Sequence, residues 1–238
     1  TTPGICIIIN NAMVRPVTSG ECLLDANQAA DTNYLDAPTK SVKLTVGKAS
    51  QNVSFATLSS VGLNTGSLTL SAMATSGLPI TFASSTPTFC STVGNTLSLL
   101  KTGTCTITAN QAGDENYKPA SSVPASISIL TDSAANLTSS TNPVMVRKNV
   151  TLSASITGNA PTGSVSFIAD NSTISTCIAV TLVNGVATCT TSKLKAGKRS
   201  IVASYSGDNN NSGSQSVPFV QTVRSLDWLP PLLNQLFN

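Results

Sequence analysis

Short stretches in which apolar and polar residues alternate recur along the whole chain. In residues 67–72, Leu68, Leu70 and Ala72 alternate with Ser and Thr, and residues 126–129 alternate in the same way. Alternation with a period of two predicts β-strands that have one buried face and one solvated face. Glycine-containing turns separate these stretches at short intervals. The pattern therefore predicts an all-β protein built from short antiparallel strands.

One stretch of the chain is repeated. Residues 103–117 (GTCTITANQAGDENY) have a near-copy at residues 20–34 (GECLLDANQAADTNY) and a looser echo at residues 205–209 (YSGDN). Each copy reads as a strand followed by a turn rich in Gly, Asp and Asn. The repeat length of about 85 to 95 residues matches an immunoglobulin-like (Ig-like) sandwich. We therefore predict tandem Ig-like β-sandwiches.

The repeat divides the chain into four parts. We predict a complete Ig-like module in residues 48–130 and another in residues 131–223. In residues 1–47 we predict only the C-terminal half of a module. Counterparts of the strands expected near residues 51–56, 67–74 and 79–84 are missing from this first part. Either the chain is a fragment cut inside a repeat, or another molecule supplies the missing strands. An open half-sandwich is an aggregation hazard, so we expect it to be covered.

The spacing of the cysteines indicates the cellular compartment in which the protein folds. They fall into three close pairs, one in each module: Cys6 and Cys22, Cys90 and Cys105, Cys177 and Cys189. Only local pairing keeps each module self-contained. The chain has no His and no Cys-x-x-Cys spacing, which argues against a zinc site. We expect one disulfide within each module and an oxidising, extracellular or cell-surface location.

The amino-acid composition favours β-strands and limits the classes of partner that we expect. Ser and Thr together account for 66 residues, and only 10% of residues are charged. The net charge of +3 comes from 13 basic and 10 acidic residues, which we interpret as scattered singly, so we expect no nucleic-acid partner. The longest apolar run, residues 5–9, is too short for a transmembrane segment. Any secretion signal was removed or lies upstream.

The residue types argue against catalysis. Without His, the usual Ser-His-Asp and Cys-His mechanisms are excluded, and the ten acidic residues do not suggest a facing pair. We predict no enzyme activity, no cofactor and no metal site. The Asp-x-Asn turns at Asp31, Asp114 and Asp208 contain potential calcium ligands, but we expect these side chains to bond their own backbone. We expect Tyr34 and Tyr117 to pack at a corner.

The third module carries a family resemblance. Residues 177–189 (CIAVTLVNGVATC), with a predicted type I′ turn at Asn184-Gly185, and residues 194–208 (LKAGKRSIVASYSGD) closely resemble the bacterial Ig-like repeats of large secreted and cell-surface proteins. The first two modules resemble a related bacterial Ig-like repeat marked by G-x-C-x-x-x-A-x-Q-A-G-D-x-N-Y. Lys198-Arg199 departs from the family, which usually has a Thr-His-like pair there. The resemblance implies a spacer or display module.

Residues 224–238 belong to no module. This apolar tail could begin a short helix at Pro231. It could pack on the third module, or it could dock on a neighbouring subunit or anchoring partner. The candidate docking residues are Trp228, Leu229, Leu232, Leu233, Leu236 and Phe237.

Together these observations predict a non-catalytic structural segment of an extracellular bacterial fibre, stalk or adhesin. Self-assembly through the incomplete first module and the tail belongs to this hypothesis. The expected partners are homotypic subunits or neighbouring repeats of a longer chain, with a cell-surface or glycan partner as a further option. The alternative is an adhesive module that binds glycan or a host receptor through its sandwich loops. A spacer attached to an enzyme is a third interpretation.

Overall fold

The structure is a computed structural model that describes residues 2–10 and 13–225. These residues form β-strands and one 3₁₀ turn at Leu63–Thr65, which confirms the predicted all-β fold. No helix among them is long and apolar enough to cross a lipid bilayer. The tail predicted as a short helix lies outside the described residues from residue 226 onward. We use the predicted divisions, residues 1–47, 48–130 and 131–223, as the names of the first, second and third modules.

The first module contains two separate antiparallel pairs. Its strands are β1 (Cys6–Ile9), β2 (Met13–Pro16), β3 (Gly20–Gln28) and β4 (Ala37–Val46). β1 pairs with β2, and β3 pairs with β4 in a register that places Cys22 opposite Leu44. Within the described residues neither pair is extended by a further strand.

The second module is a sandwich with strands on both sides of a core. Its strands are β5 (Val53–Phe55), β6 (Val61–Gly62), β7 (Ser67–Thr69), β8 (Ala72–Ala74), β9 (Thr81–Ser84), β10 (Cys90–Val93), β11 (Thr96–Leu99), β12 (Gly103–Asn110) and β13 (Val123–Leu130). One sheet has the order β6-β13-β12-β9 and the other β10-β11-β7, and β5 pairs with β8.

The third module has the same two-layer design. Its strands are β14 (Ala134–Ser139), β15 (Val144–Met145), β16 (Val150–Thr157), β17 (Ser164–Ala169), β18 (Ser172–Thr173), β19 (Val180–Thr181), β20 (Val186–Thr191), β21 (Gly197–Tyr205), β22 (Ser214–Gln215) and β23 (Phe219–Arg224). One sheet has the order β14-β16-β20. The other has the order β15-β23-β21-β17-β18, with β19 on β17 and β22 on β21.

Alternation along the strands builds the two cores. In β12, Cys105, Ile107 and Ala109 are fully buried, as their alternation with polar neighbours predicts. In the third module Phe167 and Ile201 are fully buried in the same way. The first module differs, because among its described residues only the half-cystines Cys6 and Cys22 are buried and apolar.

Each module contains one disulfide. The bonded pairs are Cys6–Cys22, Cys90–Cys105 and Cys177–Cys189, with Cα–Cα distances of 5.7, 5.8 and 5.6 Å. In the second module the bond connects β10 in one sheet to β12 in the other. In the second module the bond therefore holds the two sheets together, whereas in the third module it ties the segment between β18 and β19 to β20.

Two local predictions have different outcomes. The predicted Asn184-Gly185 turn is confirmed, since both residues have positive φ, 50° and 76°, and Val183 pairs with Val186 across it. The linker-like residues 132–135, which we expected to separate the second and third modules, are only partly a linker. Ala134 already pairs in β14 with Thr157, so three residues separate β13 from β14.

Candidate functional site: the clasps between modules

Each module carries an Asp-centred loop after one of its long strands. In the second module, the Asp114 carboxylate accepts hydrogen bonds from the N–H groups of Asn116 and Tyr117, both at 2.8 Å. The Asp114 N–H closes the loop by donating to the Tyr117 carbonyl, at 3.1 Å. The same three bonds recur at Asp31 in the first module and at Asp208 in the third. The prediction that these aspartates bond their own backbone is confirmed.

In the second module this loop holds the residue that leads into the module. Ala49 donates its N–H to the Asn116 carbonyl at 2.7 Å and accepts from the Lys118 N–H at 2.8 Å. Ala49 and Tyr117 thereby form a one-residue parallel bridge. We call this arrangement, an Asp loop whose carbonyl and N–H hold one incoming residue, a clasp.

The third module repeats the clasp at the second joint. Thr131 donates its N–H to the Asn210 carbonyl at 2.9 Å and accepts from the Ser212 N–H at 2.9 Å. Thr131 directly follows β13, so this clasp holds the chain as it leaves the second module. The two clasps use only backbone groups of the incoming residue, which is why Ala and Thr serve equally well.

Further contacts tie the first two modules together. Ser19 of the first module donates its N–H to the Asn116 side-chain carbonyl at 2.9 Å, and its hydroxyl donates to the Glu115 carbonyl. Within the second module, the Lys48 ammonium donates to the Asp114 carbonyl at 2.5 Å. The loop that holds Ala49 therefore also contacts the preceding module.

Side chains reinforce the second joint. The Asp132 carboxylate accepts from the Asn64 N–H of the second module at 2.8 Å. Gly62 leaves room for this carboxylate, since a Cβ there would lie 2.2 Å from Asp132 Oδ1. On the other side, the Ser133 hydroxyl donates to the Ser212 carbonyl at 2.7 Å. All three linker residues are therefore bonded to a neighbouring module or loop.

The Asp208 loop is the most heavily bonded of the three. Asp208 also accepts from the N–H and hydroxyl of Thr162 at 2.7 and 2.9 Å. Burial acts to raise the pKa of Asp208, but hydrogen bonds from Thr162, Asn210 and Asn211 outweigh it and hold the pKa well below its usual range. Burial, together with the Asp208 carboxylate, raises the pKa of Tyr205 to about 12.

The third module also matches a known family. Residues 137–224 match the family model described as "Bacterial Ig-like domain (group 3)". The third module is thus similar to bacterial Ig-like domains. The resemblance seen in its sequence is confirmed, and its two sheets are those of an Ig-like sandwich.

Solved structures give more distant likenesses. The fibronectin(III)-like modules of CbhA from Clostridium thermocellum are 13% identical, covering 75% of this chain and 97% of that chain, with a TM-score of 0.42. FdeC, an Escherichia coli adhesin, is 20% identical, covering 88% and 76%, with a TM-score of 0.37. The N-terminal eight Ig domains of Down Syndrome Cell Adhesion Molecule are 14% identical, covering 92% and 30%, with a TM-score of 0.38. No curated protein matches the chain.

The third module has a basic hollow that we did not predict from the sequence. A cavity of about 420 Å³ lies between the β17–β18 turn and the segment before β21. Lys193, Lys195 and Arg199 line it, so our interpretation of the basic residues as scattered singly is wrong here. The spacing K-x-K-x-x-K-R in residues 193–199 was the available signal.

One cation of this hollow is fixed in place. Arg199 donates to the Asp170 carboxylate at 2.8 Å and to the Ala196 carbonyl at 2.6 Å. A hydrogen bond from the Ser200 N–H and the Arg199 guanidinium lower the pKa of Asp170. Lys193 and Lys195 form no ion pair within the described residues, so they leave net positive charge in the hollow.

The other predicted site residues have separate outcomes. The candidate docking residues lie outside the described part of the chain, so their role stays a prediction; they are Trp228, Leu229, Leu232, Leu233, Leu236 and Phe237. The described residues contain no group of three or more Cys, Asp or Glu that could hold a metal ion. Tyr34 does not pack at a corner as expected, because its side chain is 75% exposed, whereas Tyr117 is half-buried.

The two Asp loops of the first and second modules provide a matched test of the clasp. Asp114→Ala should lower the free energy of unfolding of the second module by about 1 kcal/mol, because the loop then no longer orders the groups that hold Ala49. Asp31→Ala removes the same loop bonds where no incoming residue is held, and should cost less. Urea denaturation of both variants gives the comparison. Equal losses would contradict a role for the loop in holding the joint.

The lowered pKa of Asp208 predicts that the free energy of unfolding of the third module decreases in acid. An aspartate in an unfolded chain has a pKa of about 3.9. As the pH falls, the unfolded state therefore binds a proton before folded Asp208 does. The contribution of Asp208 is therefore complete above that pH and is lost as the pH falls below it. Urea midpoints between about pH 5 and 2 should fall less steeply in Asp208→Asn than in the wild type. Parallel curves would contradict the prediction.

Proposed function

We propose that this chain is a non-catalytic structural segment of an extracellular bacterial stalk, fibre or adhesin, in which Ig-like modules act as a stiff spacer. The observation that carries the proposal is the second joint. The three residues from Thr131 to Ser133 connect two sandwiches, and each is hydrogen-bonded on at least one side. Short, bonded linkers keep an array of modules extended, because relative motion would require several bonds to break.

The disulfides support a load-bearing role in an oxidising compartment. The Cys90–Cys105 bond joins the two sheets of the second module, so tension that slides these sheets apart meets a covalent bond. Disulfides persist outside the cytoplasm, which favours an extracellular or cell-surface location. These features concern mechanical stability and do not require a reacting group.

Homotypic contact belongs to the proposal as a prediction. The first module exposes strand edges, and the tail carries a cluster of apolar residues around Trp228 and Phe237. Contact between these two regions of neighbouring subunits would join stalk segments end to end where no other occupant fills the first module. The tail lies outside the described residues, so this part rests on the sequence.

Adhesion to an acidic glycan is the second candidate function, and the basic hollow favours it. Its volume of about 420 Å³ lies within the range of small-ligand sites. Lys193 and Lys195 offer charge to a carboxylate or sulfate, while Ser172 and Thr173 offer hydroxyls. No aromatic residue among those described lines the hollow to stack on a sugar ring, so we rank this candidate second.

The spacer proposal predicts that the second and third modules tumble as one body. ¹⁵N relaxation should give both modules the same overall rotational diffusion. Gly62→Ala places a Cβ against the Asp132 carboxylate and should separate their tumbling, whereas Gly4→Ala, where nothing lies within 4 Å of the added Cβ, should not. Independent tumbling of the two modules in the wild type would overturn the proposal.

The adhesion candidate predicts loss of anion binding on removal of two lysines. Titration with polygalacturonate and dextran sulfate, with neutral dextran as a blank, should show binding to the wild type. Lys193→Ala combined with Lys195→Ala should weaken it by about ten-fold or more, which corresponds to roughly 1.4 kcal/mol. Lys40→Ala combined with Lys101→Ala makes the same charge change elsewhere and should have little effect. Equal weakening by both pairs would indicate non-specific attraction and would contradict the candidate.

A further inference from the structure

We propose that the first module is the receiving half of a split sandwich, and that its occupant is the N-terminal half of an Ig-like repeat of the same type. This inference does not depend on the spacer role. It rests on three features of the described residues: an open apolar face, unpaired strand edges and an empty clasp.

The apolar face is seen by comparison with the second module. Leu44 lies opposite Cys22 just as Ile127 lies opposite Cys105, so the two positions are equivalent. The Leu44 side chain is 43% exposed, whereas Ile127 is 2% exposed. The neighbouring Val42 is also exposed. Apolar side chains that an equivalent repeat buries indicate a surface that a partner covers.

The strand edges of the same face are open. In the second module, β9 pairs with the edge of β12, β6 with the edge of β13, and β7 with the edge of β11. The equivalent strands β3, β4 and β2 have no such neighbours within the described residues. Their outer backbone groups are therefore available to added strands, the geometry of β-augmentation.

The empty clasp shows where the chain of the occupant would begin, because Ala49, the residue held in the second module, lies at the start of residues 48–84. The Asp31 loop has the same internal bonds as the loops that hold Ala49 and Thr131. In the first module the equivalent holding groups are the Asn33 carbonyl and the Leu35 N–H, and neither has a partner among the described residues. The Leu35 side chain is 93% exposed. The Asp31 loop can hold one incoming residue but holds none among the described residues. This observation supports the proposal independently of the apolar face.

The size of the gap selects the occupant. The second module fills the equivalent space with residues 48–84, which carry β5 to β9 and core residues such as Phe55, Leu70 and Phe82. The 13 residues from 226 to 238 are too few for five strands and their turns, since an average strand takes about five or six residues. A second copy has no spare strand, because β5 to β23 all pair within their own modules. A half-repeat of this type meets all three requirements.

The experiment restores the half-repeat in one chain. A copy of residues 48–84 is placed directly before Thr1 of the full chain, so that the copied Ser84 precedes Thr1 as Ser84 precedes Ser85. Amides of Gly20–Gln28 and Ala37–Val46 should then exchange with deuterium as slowly as those of Gly103–Asn110 and Val123–Leu130. The control carries Leu70→Asp and Phe82→Asp in the added copy only, and should leave the first module as fast-exchanging as in the unextended chain.

Three outcomes would overturn the inference. The first is unchanged exchange in the extended chain, and the second is equal protection in the control. The third is slow exchange in the unextended chain that appears together with oligomers in sedimentation, which would make a second copy the occupant.

A separate pair of variants tests the clasp. Leu35→Pro removes the N–H that would hold the incoming residue, whereas Leu35→Ala keeps it. In the extended chain, the proline variant should lose more of the restored protection than the alanine variant. Equal protection in the two would contradict the role assigned to Leu35. The outcome is independent of whether the array is stiff.

Discussion

The acceptance of two backbone N–H groups by one aspartate carboxylate is the interaction on which the arrangement of this chain depends. In the loops at Asp114 and Asp208, these hydrogen bonds turn the chain so that one backbone carbonyl and one backbone N–H of the loop face outward. Their spacing is that of a single parallel bridge. The residue held there lies at the start of its module. Because the loop follows a strand buried in the module's own core, the chain that arrives from the preceding module is tied to that core through a few bonds.

The modules themselves depend on a different constraint, which is the shortage of large apolar side chains. Only 4% of the residues are aromatic, and much of each strand is Ser, Thr or Ala. Such small cores bury limited apolar area, so a covalent bond between the layers has a large relative effect. The disulfide of the second module lies between its two sheets, where it opposes their separation. In the first module the disulfide is buried, whereas much of the surface of the strands around it is exposed.

The sequence predicts the fold well because alternation, glycine turns and cysteine pairs are local signals. The buried side of β12, the Asn184-Gly185 turn and the bonds of the Asp loops follow from such signals. The partners of the clasps do not, since Ala49 and Thr131 contribute only backbone groups, which any residue except proline offers. The basic hollow was missed for another reason. Its lysines are close in sequence, but only the approach of the β17–β18 turn makes them one site.

The positions of the joint and the hollow within the third module relate the two candidate functions. Gly163, just before β17, lies beside Gly207 of the clasp loop, whereas Asp170, just after β17, lines the hollow. The length of one strand therefore separates the end that is held by the second module from the end that carries Lys193 and Lys195. A stiff joint would fix the direction in which the hollow faces. Spacing and adhesion then make different demands on the sequence, one on the backbone at the clasp and the other on side chains at the far end, and the same module can meet both.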